Sequence, residues 1–156
     1  EEGVGGLAWG SQPIESLAEA ESWGDLRVYR PTPKALVLGG YGFESTGLYY
    51  WQDRLCRFVA VSGDSDISAD KFINDAEDQY GTLESSEITL GETSLRTLGK
   101  CDEDLAVAIW AVQEEESSFE WSIEQLTVWY LPIDPNKERL LNASACRVGQ
   151  PVREEH

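Results

Sequence analysis

Histidine occurs once in these 156 residues, as His156 at the very end. Its scarcity excludes Ser-His-Asp and Cys-His nucleophile arrangements, imidazole acid–base work and nearly every zinc site, since each needs a ring nitrogen beside its partner. His156 itself, in a polar tail, reads as a tail or tag remnant. Methionine is absent altogether, including at the start; a removed export signal is one explanation and a cloning boundary another. Cysteine is limited to Cys56, Cys101 and Cys146, with no Cys-x-x-Cys and no metal-type spacing. An odd number admits at most one internal bridge and leaves one thiol over. Long apolar runs are missing too. The longest, Leu105 to Val112, falls far short of the roughly 20 residues of a helical membrane span, so no membrane insertion is expected.

Positive charge is scarce: 12 Lys and Arg stand against 29 Asp and Glu, a net charge of −17. The excess is uneven. Residues 1–62 carry 8 acids against 5 bases, residues 63–126 carry 17 against 3, and residues 127–156 carry 4 against 4. Such a field repels nucleic acid and anionic membrane and attracts cationic partners or divalent ions. A solvated surface that keeps the protein dispersed is the plainer reading of the same charge.

Phosphate-binding loops are lacking as well. Gly42 and Gly47 have the outer spacing of a P-loop, but Leu48-Tyr49 stand where Lys-Ser/Thr is needed. Gly39-Gly40-Tyr41-Gly42 lacks the third glycine of a dinucleotide loop. Asp64, Asp66, Ser68, Asp70 and Asp75 follow the spacing of a calcium loop. Ala69 occupies its glycine position and Asp75 its closing Glu, so capping acids at a helix start are the better account. No cofactor or metal is expected, and no carboxylate pair can be singled out for glycoside hydrolysis. With no catalytic constellation, the chain reads as a non-enzyme.

What is present is a globular composition, 41% apolar and 10% aromatic, too rich for disorder. Pro13 opens a helical pattern with Ile14, Leu17 and Ala18, which Trp23-Gly24 stops. Strands are predicted over 26–29 and 35–38. A hairpin over 48–51 and 55–61 turns at Gln52-Asp53-Arg54. In its second strand Leu55, Val59 and Val61 share a face with Arg57, and Cys56, Phe58 and Ala60 share the other.

The clearest helix runs from Ala69 to Tyr80. Ala69, Phe72, Ile73, Ala76 and Tyr80 form its apolar stripe, Ser68 its N-cap, and Gly81 its left-handed C-cap. Strands over 88–90 and 95–98 flank Gly91-Glu92-Thr93. Residues 105–112 are apolar on both faces, as in a central strand. A last strand over 119–131 changes phase at Glu124-Gln125, which a bulge explains. Trp110, Trp121 and Trp129 sit within strands, where packing is expected of them.

The expected architecture is therefore α+β, a mainly antiparallel sheet with two helices in helix–strands–helix–strands order. One domain spans 1–134 and a C-terminal tail spans 135–156.

Five motifs, in order, resemble an uncharacterised family of small exported bacterial proteins that opens with Gly-(Ile/Leu)-x-Trp-Gly, here Gly6-Leu7-Ala8-Trp9-Gly10. Gly24-Asp25-Leu26-Arg27-Val28-Tyr29-Arg30, Arg54-Leu55, Tyr80-Gly81 and Trp129-Tyr130-Leu131-Pro132-Ile133 supply the rest. The resemblance spans residues 6–133 and departs near Gly99-Lys100-Cys101, where an aromatic is expected. It implies export and a non-catalytic role, with no site residues to carry over.

The expected function is a non-catalytic exported binding or interaction domain, periplasmic or cell-envelope associated, whose partner is a protein or envelope component rather than nucleic acid. The alternative is an acidic decoy, a nucleic-acid mimic or inhibitor of a basic protein. Packing in a strand accounts for Cys56. Cys101 in a polar turn and Cys146 in the tail are the pair expected to bridge if the protein is exported.

Overall fold

The computed structural model describes residues 3–4, 7–14, 19–30, 41–63, 67–91, 93–102, 104–113 and 121–135. Ten strands and one helix lie within them: β1 (Gly3–Val4), β2 (Leu7–Ala8), β3 (Glu19–Trp23), β4 (Leu26–Tyr29), β5 (Ser45–Trp51), β6 (Arg54–Val61), α1 (Ala69–Tyr80), β7 (Glu84–Leu90), β8 (Thr93–Cys101), β9 (Leu105–Gln113) and β10 (Ser122–Tyr130). Eight strands form one antiparallel sheet in the order β3-β4-β5-β6-β10-β9-β8-β7, and β1 and β2 pair separately. The large sheet is two four-stranded meanders joined where β6 meets β10. The chain crosses from one meander to the other through α1, so local turns settle most of the pairing.

Two-residue turns make the tightest of these hairpins. Gln52 and Asp53 both take positive φ, 53° and 65°, between the paired Trp51 and Arg54, a loop whose twist matches that of the flanking strands. Gly24, at φ 63°, begins the turn between the paired Trp23 and Leu26. That pairing corrects the first helix. Glu19–Trp23 is an exposed strand, Ile14 stands outside any helix with 47% of its surface exposed, and residues 15–18 lie outside the described region. A positive-φ glycine ends helices and turns hairpins alike, and here Trp23-Gly24 does the second.

A bulge corrects the faces of β6. Tyr49 pairs with Arg57 but Tyr50 pairs with Leu55, so Cys56 is the extra residue. The extra residue brings Leu55 into the core with Phe58 and Ala60, while Arg57, Val59 and Val61 keep the opposite face. The phase change in β10 is a bulge as expected, with its register shift between Ile123 and Gln125. Strand β9 is interior, between β10 and β8. The strand expected over 35–38 and the loop over 114–118 lie outside the described residues.

Helix α1 has the expected bounds and stripe: Ala69, Phe72 and Ala76 are buried, and Ile73 and Tyr80 pack beside them. Phe72 meets Tyr41 and Phe43 edge-on, with ring centroids 5.0 and 5.6 Å away. Burying such a ring stabilises the fold by about 1.5–3 kcal/mol. Ser68 has the extended backbone of an N-cap but makes no side-chain cap bond. Gly81 adopts φ 99°, ψ −179°, a region reserved for glycine but outside the left-handed helical one. The last turn contains no basic residue. Lys100 on β8 takes that role, donating to the Tyr80 carbonyl while pairing with Asp102 at 2.9 Å.

The helix and the sheet face beneath it enclose the main core, which includes Leu48, Tyr50, Phe58, Leu98, Val107, Ile109, Leu126 and Val128. The opposite face has a small cluster of its own, Ala106 with Leu131, flanked by Cys101 and Trp129.

Candidate interaction surface

Cys56, Arg57 and Asp134 have chemical potential but are committed to structure. Burial, and then the nearby Asp134 carboxylate, push the Cys56 thiol up to about 12, so it stays protonated and inert at neutral pH. Arg57 and Asp134 form a two-pronged ion pair at 3.0 and 2.9 Å, with side chains 12% and 0% exposed, that ties the turn after β10 to β6. Burial alone would lower the Arg57 guanidinium, yet the Asp134 hydrogen bonds and charge hold it above its usual value. Its guanidinium also lies 4.8 Å from the centre of the Tyr49 ring.

Tyr41 donates to Asp75 at 2.7 Å, and Lys71 reaches the same carboxylate at 3.3 Å. These two hydrogen bonds, Tyr41's first, hold Asp75 below its ordinary range. The acid at the closing position of the calcium-loop spacing is therefore engaged on α1, and Asp64 and Asp66 lie outside the described residues. Among the described residues, no three His, Cys, Asp or Glu side chains are grouped to hold a metal. A hollow of about 230 Å³ opens beside the end of α1, lined by Gln79, Tyr80, Lys100, Asp102, Leu105 and Val107. Lys100, the one cation among its described lining residues, is already shared between Tyr80 and Asp102.

A different arrangement appears where the sheet ends at β7. This strand pairs in unbroken register with β8, from Glu84 opposite Gly99 to Leu90 opposite Thr93. Its Glu84–Thr89 stretch is exposed throughout. Because side chains alternate, Glu84, Ser86 and Ile88 share the face away from α1, and Ser85, Glu87 and Thr89 the face toward it. Ile88 is 52% exposed; it stands opposite Leu95, which stands opposite Val112. Trp110, 38% exposed, lies two residues from Val112 on that same face. Four apolar side chains thus form a strip from the sheet edge inward.

Charge is distributed asymmetrically over the sheet. Glu84 and Glu87 have no ion-pair partner among the described residues. The cation opposite Glu87 is Arg96, whose guanidinium lies 4.5 Å from the centre of the Trp121 ring. The basic side chains Arg27, Arg30, Arg54 and Arg57 all belong to β4–β6 or the residue just after β4, in the other meander. Residues 63–126, which hold 17 of the 29 acids, supply α1, β7, β8 and β9.

Of the tryptophans expected to pack, Trp121 is buried and Trp129 half-buried, whereas Trp110 faces solvent. Sequence alternation alone signals neither residue: Trp110 shares its face with the buried Ala106 and Ala108, and Ile88 owes its exposure to the place of β7 at the sheet edge. Of the expected bridge, Cys101 is disulfide-bonded and Cys56 is a free thiol. Cys146 lies outside the described residues. No family model, curated protein or solved structure matches this chain.

Proposed function

We propose that this protein is a non-catalytic interaction domain that binds a cationic protein through the acidic meander of its sheet. The observation that carries the reading is the strip Ile88–Leu95–Val112–Trp110, apolar and open to solvent at Ile88 and Trp110, beside an edge strand whose Glu84 and Glu87 have no ion-pair partner among the described residues. A cluster of large side chains facing solvent is costly unless something covers it. Tryptophan is, moreover, among the residues that dominate binding energy at interfaces.

Export to the periplasm or cell envelope belongs to the same proposal. The order of the five sequence motifs supports it, as does the bonded state of Cys101, since structural disulfides persist in oxidising compartments.

The acidic decoy remains the second reading, favoured by the concentration of 17 acids against 3 bases in residues 63–126. It differs in its requirement: a nucleic-acid mimic presents carboxylates at phosphate-like spacing, with no need of Ile88 or Trp110.

Selection from a random library of extended peptides separates these readings. The expected result is a set of binders rich in Lys and Arg whose affinity drops at least about tenfold on the folded Ile88→Glu, Trp110→Glu variant. Failure to enrich any binder over that variant would overturn the proposal. Binding that survives the double substitution and is displaced by DNA-binding proteins would favour the decoy.

A further inference from the structure

Strand β7 is one of two edges of the large sheet, and the two are protected differently. At the other edge, β3 is 5 residues long and its register breaks between Glu19 and Glu21. A bulge of that kind twists an edge away from new partners. Strand β7 is 7 residues long with no break. It has no proline, and the only charges on it are Glu84 and Glu87. Its outward row of backbone groups is therefore the template in this sheet for another strand.

Resting on the reading above, we propose that β7 receives an extended basic segment of the partner as an added antiparallel strand, with an apolar side chain opposite Ile88 and cations opposite Glu87 and Glu84. Antiparallel addition continues the direction rule of every pairing in the sheet. Main-chain hydrogen bonds would supply affinity, and alternate side chains would supply specificity. Counting back along β7, the residue after the apolar one meets Glu87, and the fourth after it meets Glu84. The motif recognised is thus apolar-basic-x-x-basic. The apolar residue extends the Ile88–Leu95–Val112 row, the first cation falls on the α1 side beside Glu87, and the second falls beside Glu84.

Charge chooses this occupant over a second copy of the chain. Full antiparallel pairing of β7 with itself centres on residue 87 and sets Glu87 directly against Glu87, a like-charge pair that destabilises a sheet. The net charge of −17 adds repulsion over the whole approach. A basic strand turns both terms favourable.

A charge swap tests the assignment. A synthetic peptide of about ten residues carrying Val-Lys-x-x-Lys is titrated against the intact protein and against Glu87→Lys, with thermal unfolding confirming that the variant folds. The expected result is binding to the wild type that weakens at least about tenfold in Glu87→Lys and returns when the peptide carries Val-Glu-x-x-Lys. Methylating the peptide's alternate backbone nitrogens is expected to abolish binding, because the ladder needs those donors. Equal affinity for both proteins, or no recovery in the swapped pair, would overturn the inference. So would sedimentation showing a dimer that Glu87→Lys disrupts. If library-selected peptides still bind through Ile88 and Trp110 while the swap fails, the added strand is wrong and the interaction domain stands. If no peptide binds at all, both fall.

Discussion

Cys56, Arg57 and Asp134 show how adjacent residues with reactive chemistry can be committed to packing. The bulge in β6 buries the Cys56 thiol and leaves Arg57 on the face where Asp134 waits. With its thiol pushed up to about 12, Cys56 is expected to resist iodoacetamide at pH 8 in the native protein and to react fully in denaturant. Mass mapping of the alkylated chain then checks the bridge: a linked pair of peptides containing Cys101 and Cys146 is expected, with a single labelled thiol at Cys56. Rapid native labelling of Cys56, or three labelled thiols in oxidising buffer, would contradict this.

The ion pair gives a second test at the same scale. Asp134→Ala leaves a buried guanidinium without its counter-charge, a change that costs about 3–5 kcal/mol. Replacing both partners with apolar residues, as in Arg57→Met with Asp134→Leu, is expected to recover most of that loss in urea unfolding. Equal losses in the single and double variants would argue that the pair does not act as a unit.

Elements were legible in this sequence where one local signal had one meaning. The stripe from Ala69 to Tyr80 repeats at helical spacing for its whole length, and α1 has those bounds. The phase change near Glu124-Gln125 likewise appears as a bulge. Trp23-Gly24 and Tyr80-Gly81 look alike in sequence, yet one turns a hairpin and the other ends a helix. Positive φ at glycine fits both outcomes, and the pairing of β3 with β4 decides between them. The face of Leu55 is illegible in sequence for a similar reason, because a bulge adds one residue without any special residue type to announce it. The apolar strip was hidden more deeply. Ile88 and Trp110 lie 22 residues apart in sequence, and only the strand order places them on one face.

At the end of α1, Gly81→Ala tests the cap. Its φ of 99° and ψ of −179° are strained for any side chain, at a cost of about 1–3 kcal/mol. An added Cβ would also lie 3.0 Å from Lys100 Nζ, against the ammonium that holds the Tyr80 carbonyl. Chemical denaturation is expected to show that loss. A neutral substitution would mean that the turn relaxes freely.

For the molecule as a whole, charge and topology divide along the same line. The described part of the acid-rich residues 63–126 supplies α1, β7, β8, β9 and the start of β10, while Arg27, Arg30, Arg54 and Arg57 lie in or beside β4–β6 of the other meander. This excess of acid favours a cationic partner at the β7 edge, where Glu84 and Glu87 stand. It also predicts salt sensitivity: binding of a Lys-rich peptide should weaken steadily as ionic strength rises and the Debye length falls from about 10 Å at 0.1 M.

Hydrogen exchange on the complex with a library-selected basic peptide addresses the central claim most directly, because it locates the contact without presuming the motif. The account predicts that amides of residues 84–90 exchange more slowly in the complex, while those of residues 19–23 on the opposite edge do not change. Slowing confined to β3, or to the hollow beside Tyr80 and Lys100, with β7 unaltered, would contradict it.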